Sequence, residues 1–488
     1  MSKKYAVVGL GSSGLSAVNF LVNHGHKVSI IDGNPNPTLA DKLPTGVHCH
    51  FGSLDSELLS SADQIIISPG INPRTPSIVA AKAQGIPVIS DVQLFIDTLK
   101  ARDLTQATNT PIIAITGSNA KSTVTTLVGE MAKHAGMIVG VGGNIGTPAL
   151  ELLTIQNMDL VVLELSSFQL EHISNLAAQG ATILNLSADH LDRHDGMVDY
   201  LAQKLRIFEN CQTAIICQDD ANLAKQCLTT LTSVAPNHTI ITTNSLLSHQ
   251  TADFYLFDDG DGMALYHQKN KLLPIHQLKI KGKHNLLNAL SALALGTAAN
   301  LPMDAMLDTL KTFKGLPHRC EYIDDIDSKA YFNDSKGTNI GSTIAAIDGL
   351  GTVYGISSLA LILGGLGKGQ DFSELSAYVM QWVDSVYLIG QDAPIIEQDL
   401  LKGDAHLASK IYQVGTLDRA VLAASQSTAR AVLLSPACAS MDQFKNYNER
   451  GDKFVNMVHA FSPSMQTPCL IRYINCKHRF CQADCPTD

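Results

Sequence analysis

Short apolar runs recur along the chain, each ending in a small or polar turn and most leading into a helix-spaced apolar stripe. Tyr5-Ala6-Val7-Val8 enters Gly9-Leu10-Gly11-Ser12-Ser13-Gly14, after which Leu15, Val18, Leu21 and Val22 share one helical side. A strand from Val28 to Ile31 follows and ends in Asp32. Ile112 to Ile115 stops at Thr116-Gly117-Ser118-Asn119, and Val124, Leu127, Val128 and Met131 then carry a helix. Further strands are predicted from Gln64 to Ile67, Pro87 to Ser90, Ala181 to Leu186, Ala214 to Cys217, Asp253 to Phe257 and Met263 to His267. Later ones begin at Tyr331, Ala360, Val386 and Ala431. Continuously apolar strands alternating with helices imply parallel sheets covered on both faces. Arg102 to Pro111 reads as a polar linker, and Gly140 to Gly146 is too glycine-rich for the interior of an element.

Three stretches add chemistry to this pattern. Gly117-Ser118-Asn119-Ala120-Lys121-Ser122-Thr123 stands between a buried strand and a helix, the arrangement of a phosphate cradle. Ala120 occupies a place where that pattern wants glycine. Glu164 is a carboxylate inside the apolar run Leu160 to Leu165; it is either a Mg2+ ligand beside Ser122 or a strand-end acid turned to water. Ser187-Ala188-Asp189-His190-Leu191-Asp192-Arg193-His194 follows a strand end, where open α/β sheets place ligands, although each residue also fits a solvated loop. His190 could serve a second metal. Gly9 to Gly14 with Asp32 matches the dinucleotide fingerprint, readable as a nicotinamide site, a site for another diphosphate, or a turn without ligand. Asn285 and Asn288 open a helix, as an adenine reader or a cap. By pattern Lys204 is a surface lysine.

These placements divide the chain into a Rossmann-like domain over 1–97, a P-loop ATPase-type parallel sheet over 98–315 and a second Rossmann-like domain over 316–461. Composition narrows the partners. A net charge of -10 argues against nucleic acid, and no apolar run reaches the roughly 18 residues of a membrane span. The opening residues lack a signal h-region, so a cytoplasmic protein with free thiols is expected among its ten cysteines. Residues 462–488 hold Cys469, Cys476, Cys481 and Cys485 with His478, either a flexible appendage or a metal knuckle.

Gly117 to Thr123, Leu163-Glu164-Leu165-Ser166-Ser167-Phe168-Gln169-Leu170-Glu171, Leu316-Pro317-His318-Arg319 and Asn333-Asp334-Ser335-Lys336 together resemble the Mur ligase family. Ser435-Pro436-Ala437-Cys438-Ala439-Ser440-Met441-Asp442-Gln443-Phe444-Lys445-Asn446-Tyr447 is similar to its D-glutamate-adding branch, and the resemblance covers about 1–461 in domain order. It implies ATP-dependent joining of D-glutamate to UDP-MurNAc-L-Ala through an acyl phosphate, by a monomer with two Mg2+ sites. Gly117 to Thr123, with Asn288, His318, Arg319 and Asp334, would hold ATP. Ser122 and Glu164 would ligate one Mg2+, and His190 with a carbamylated Lys204 the second. Ser12, Ser13, Asp32, Gly33, Asn34, Asn144 and His190 would take the UDP-substrate. Thr338, Lys368, Ser440 and Tyr447 would take D-glutamate. Lys121, Glu164, His190, Lys204 and Lys336 would be catalytic. Departures from the family pattern are Ala120, Gly337 for Ala, Leu366 for Asp and Tyr447 for Phe; the Asp-Asn-Pro-Arg motif of the diaminopimelate-adding relative is missing. The rival readings are another Mur ligase, a folylpolyglutamate-synthase-like ligase, a nucleotide-switch protein and a nicotinamide oxidoreductase.

Overall fold

The computed structural model describes residues 2–187, 193–245, 252–280, 282–367 and 369–461. It divides into two compact units. One contains the described residues up to Leu278 with Leu287–Thr312, the other Lys279–Leu286 with those from Phe313 onward.

The first unit holds two sheets. β1 (Lys4–Val8), β2 (Lys27–Asp32), β3 (His48–Phe51), β4 (Gln64–Ile67) and β5 (Val88–Ser90) lie in the order β3-β2-β1-β4-β5, all parallel. The order reverses at β1, so the loop Gly9 to Gly14 leaves the sheet at its switch point, where such sheets take ligands. A Cβ on Gly14 would collide with the Gly9 carbonyl oxygen, so only glycine lets helix and loop approach here.

The second sheet contains β6 (Ile112–Thr116), β7 (Val139–Gly143), β8 (Leu160–Glu164), β9 (Gly180–Ile183), β10 (Thr213–Cys217), β11 (Thr239–Asn244), β12 (Phe254–Asp258), β13 (Met263–His267) and β14 (Asn270–Pro274). Their order is β14-β13-β12-β11-β10-β9-β6-β8-β7. Pairings from β7 through β12 are parallel, and β13 and β14 close the far edge as antiparallel strands. β6 lies between β9 and β8, so the exits of both neighbours flank the cradle loop.

The second unit has one sheet: β15 (Glu321–Ile326), β16 (Lys329–Asn333), β17 (Leu359–Gly364), β18 (Val383–Ile389), β19 (Ile411–Gly415) and β20 (Ala431–Leu434), in the order β15-β16-β20-β17-β18-β19. Only β15 and β16 pair antiparallel. The result is a three-domain α/β protein with parallel-dominated sheets, as the apolar runs predict. Among the described residues, no helix is long and apolar enough to cross a membrane.

Three expectations need correction. Gly140, Gly142 and Gly143 are not in a loop but in β7, an edge strand. A Cβ on Gly142 would run into the Thr147 carbonyl oxygen, so the glycines serve close backbone approach inside a strand. The linker from Arg102 is shorter than its composition suggests, because the helix Asp91–Gln106 continues through Arg102 and ends at Ala107 in the left-handed conformation. Asn285 is not a cap. It is the third residue of the helix Lys283–Ala298, and its own N–H donates to Gly282 O.

Candidate active site

The cradle loop is held from the β9 side. Ser118 N donates to Asn185 O at 3.0 Å, and Asn119 N donates to Asn185 Oδ1 at 2.8 Å. Asn185 Nδ2 donates back to Asn119 O, and Ser118 Oγ donates to Ser187 O at 3.0 Å. Ser187 opens the run that the sequence marks as a strand-end ligand candidate; Asn185 carries no motif. A polar pair directly beyond a buried strand end was the available signal.

Gly117 takes φ +154° and Ala120 φ +64°, so the alanine does adopt the left-handed conformation the pattern reserves for glycine. Ala120 precedes the helix Lys121–His134 and supplies no side-chain cap; a helix N-terminus in that position attracts anions. Ala120→Gly should therefore raise the unfolding free energy by about 1 kcal/mol, because an L-residue is strained in this region. Urea denaturation of the two proteins would measure it. An unchanged or lower midpoint would remove the strain.

Lys121 folds back over the loop, its Nζ donating to Gly117 O and Ser118 O, both at 2.9 Å. Lys204 corrects the pattern-based reading as a surface residue: it is 1% exposed. Its Nζ donates to Gly117 O at 2.9 Å, lies 3.4 Å from Thr116 Oγ1 and sits 4.5 Å above the Tyr200 ring. Tyr200, also missed from sequence, reaches Ser118 Oγ with its hydroxyl at 3.2 Å.

On the β8 side, Glu164 pairs in register with Ile115, two residues before Gly117. It is 2% exposed, which rules out the strand-end acid turned to water. Asn144 Nδ2 donates to its Oε1 at 2.7 Å, while Oε2 is buried and has no hydrogen-bond partner among the described residues. An unpaired carboxylate oxygen at that depth costs free energy unless a cation meets it. Ser122 and Thr123 are buried in the first turn of the adjacent helix. Oxygen donors of this kind suit Mg2+. His190 lies outside the described residues.

At the first sheet, Asp32 accepts from Leu10 N at 2.6 Å and from Asn34 N at 2.8 Å, so both carboxylate oxygens brace the loops around Gly9 to Gly14. In a nicotinamide site this acid would receive ribose hydroxyls instead. Ser12, Gly33 and Asn34 are exposed and Ser13 half-buried, so this rim is open to a ligand. Asn144, expected to touch the same substrate, turns its amide to Glu164. Asn288 is buried on the helix Lys283–Ala298.

The second unit gathers His318, Asp334, Lys336 and Tyr447. His318 Nδ1 accepts from Asn333 Nδ2 at 2.9 Å, which leaves Nε2 to carry the proton 3.5 Å from Asp452 Oδ1. A Cβ on Gly451 would collide with His318 Nδ1, so glycine makes room for the ring. Lys336 N donates to His318 O, and Lys336 Nζ sits 3.9 Å over the Tyr447 ring. Tyrosine at 447 thus presents a π-face to the lysine, as phenylalanine would. Arg450, buried and missed from sequence, donates to Ser335 Oγ, Ser335 O and Cys438 O. It braces the loop of Asp334 to Lys336. Arg319 and Thr338 are half-buried and Ser440 is buried; Lys368 lies outside the described residues. Leu366, where Asp was expected, forms a backbone bridge with Ala439.

Asp334 accepts from Ser435 Oγ at 2.6 Å and Cys320 N at 3.1 Å. A Cβ on Gly337 would press on this carboxylate, which accounts for glycine in place of the expected alanine. Burial raises Asp334 from 3.8 to about 7, against the lowering effect of its hydrogen bonds. A carboxyl raised on folding contributes stability that is full below about pH 4 and lost as pH rises through 7. Asp334→Asn should flatten the stability curve across that window. An equal slope in both proteins, measured by urea unfolding from pH 4 to 8, would contradict this.

Fold and site together define a nucleotide-phosphate-binding α/β enzyme. Family models agree: Mur ligase MurD-like N-terminal domain matches residues 3–90, Mur ligase middle domain 115–296, and Mur ligase glutamate ligase domain 318–438. A Psychrobacter arcticus protein named UDP-N-acetylmuramoylalanine–D-glutamate ligase is 49% identical, covering 94% of this chain and 95% of its own length. One of the same name from Acinetobacter baylyi is 47% identical over 93% and 97%. The solved UDP-N-acetylmuramate-alanine ligase of Thermotoga maritima shares the fold at TM-score 0.57 and 16% identity, covering 94% of this chain and all of its own. Folylpolyglutamate synthase of Mycobacterium tuberculosis, complexed with ADP, does so at 0.56 and 15%, over 78% and 97%. The chain belongs to the Mur ligase family and is an ATP-dependent ligase of peptidoglycan-precursor synthesis.

Proposed function

We propose that the chain joins the amine of D-glutamate to the L-alanine carboxylate of UDP-MurNAc-L-Ala, acting as a cytoplasmic monomer. The reading is carried by likeness over more than nine-tenths of the chain to proteins named for that reaction. Domains 1–97, 98–315 and 316–461 take the UDP-substrate, ATP and D-glutamate as their main ligands. ATP transfers its γ-phosphoryl group to the carboxylate, ADP departs, and the amine displaces phosphate from the acyl phosphate.

Every reactant is anionic, so the cationic and N–H groups of the cradle do the main work. Lys121 swings from Gly117 O and Ser118 O to the transferring phosphate. The helix Lys121–His134 faces its N-terminus to the same charge. Asp32 keeps the Gly9 loop shaped for the diphosphate of the UDP-substrate, with Ser12, Ser13, Gly33 and Asn34 at the rim. His318, Arg319, Asp334 and Asn288 serve the nucleoside, and Lys336, Thr338, Lys368, Ser440 and Tyr447 the amino acid. Ser122 and Glu164 would hold one Mg2+, and His190 with a carbamylated Lys204 would hold a second. Mg2+ would supply charge neutralisation for the anionic reactants. Carbamylation of Lys204, by CO2 addition with loss of two protons, would turn its buried cation into a carboxylate.

The deciding experiment is phosphate release from ATP and UDP-MurNAc-L-Ala with each candidate amino acid. Turnover is expected with D-glutamate. Silence with D-glutamate and turnover with another amino acid would overturn the assignment.

A further inference from the structure

His194 closes the run read from sequence as a strand-end ligand candidate or a solvated loop, and no step above uses it. The structure buries it to 4% exposure, engages both nitrogens and packs two aromatic rings against it. Nε2 lies 2.9 Å from Ser167 Oγ, and Nδ1 lies 3.2 Å from Asp199 Oδ2. Phe168 stacks on the ring at 5.4 Å between centroids, and Tyr200 tilts against it at 5.2 Å.

The tautomer follows from the partners. Hydrogen bonds from Gln203, Asp195 N and His194 hold Asp199 below the usual carboxylate range. An ionised carboxylate at Nδ1 requires the proton there, which leaves Nε2 to accept from the Ser167 hydroxyl. Arg74, from the loop after β4, extends the chain of contacts: its guanidinium lies 2.7 Å from Asp195 Oδ1 and 3.5 Å from Asp199 Oδ2.

The relay ends where the chemistry is. Ser167 stands three residues beyond Glu164 and opens the helix Ser167–Leu170. Asp199 and Tyr200 lie on the helix Met197–Leu205 that carries Lys204. Tyr200 in turn touches Ser118 in the cradle. The geometry points to His194 as a positioning residue for the ligase reaction: one imidazole sets the distance between the Glu164 strand exit and the Lys204 helix. This rests on the assignment of Glu164 and Lys204 given above. A serine–histidine–aspartate order also suggests a hydrolytic nucleophile, but Ser167 is 2% exposed and shut away from any substrate. Its hydroxyl orients the strand exit.

Groups hydrogen-bonded to metal ligands alter affinity or activity by about 10–100-fold when replaced, and His194, which bonds to the elements carrying Glu164 and Lys204 rather than to those side chains, is assigned the same range. The test compares the full-length wild type with Asp199→Asn, His194→Ala, His194→Gln and Ser167→Ala in amino-acid-dependent phosphate release, with a thermal midpoint for each. Asp199→Asn and His194→Ala should lower kcat by about 10–100-fold while KM for ATP and for the UDP-substrate move less than about threefold. His194→Gln, whose amide oxygen can accept from Ser167, should recover part of the loss. Ser167→Ala should cost little further in the His194→Ala background, since both break one contact. Should His194→Ala not fold, Asp199→Asn and Ser167→Ala decide alone. A kcat within about twofold of wild type in Asp199→Asn, or losses that appear in KM and track the thermal midpoint, would overturn the proposal. A wild type inactive with D-glutamate would sink the substrate reading instead; the variants would then be judged with the amino acid that does give turnover.

Discussion

Lys121→Ala should cut ATP-dependent phosphate release by about a thousandfold or more, with little change in the KM for D-glutamate. The size follows from what the side chain supplies. A positioned cation on a transferring phosphoryl group is worth about 10³–10⁵ in rate where one has been removed from comparable enzymes. The structure holds Lys121 Nζ at 2.9 Å from two loop carbonyls, Gly117 O and Ser118 O, so the ammonium already sits at the mouth of the cradle. Its swing to phosphate exchanges two neutral acceptors for charged ones, which strengthens each bond. Loss of Lys121 leaves Gly117 O with a donor, because Lys204 Nζ also donates to it. The loop should therefore keep its shape, and the thermal midpoint should stay close to wild type. Steady-state phosphate release with ATP and D-glutamate varied separately would read both effects. Retention of a tenth of the wild-type kcat would show that Lys121 is not the phosphate-reading cation.

Much of this site is visible in the chain because its parts are local. β6, the turn at Gly117 and the stripe of Val124, Leu127, Val128 and Met131 follow each other without a gap, so strand, loop and helix can be read in one pass. Glu164 is conspicuous as a charge in an apolar strand. What escapes is tertiary. Lys204 sits between Leu201 and Leu205 on a short helix, and nothing in that spacing says that the helix lies under the cradle loop. His194 follows five polar or charged residues among seven and reads as part of a ligand loop or a solvated one, yet it is buried against Phe168 and Tyr200. Asn185, Asn333 and Arg450 act as braces whose partners are distant in sequence. β7 is misread for the opposite reason: its glycines carry no side chains, so there is no periodic pattern to see.

Glu164→Gln should separate the cost of a buried charge from its use. The amide matches the carboxylate in shape, and its oxygen can keep the 2.7 Å bond from Asn144 Nδ2. The change falls on the other side, where Oε2 is buried and without a hydrogen-bond partner among the described residues. There an NH2 group would replace an anionic oxygen and point a donor at the position of a cation. Stability and turnover should therefore part company. Removing a charge that nothing neutralises in the free protein should leave the thermal midpoint unchanged or higher. Phosphate release should fall by about 10²–10³-fold, the usual loss when one electrostatic contact to a developing charge is removed. The Mg2+ concentration for half-maximal rate should rise with it, because one of the oxygen donors has gone. Lys121→Ala differs on this point, since it keeps both Ser122 and Glu164 and should leave the Mg2+ midpoint near wild type. A Glu164→Gln enzyme with a normal Mg2+ midpoint and turnover within about threefold would mean that the orphan oxygen is a structural cost with no cation to meet it.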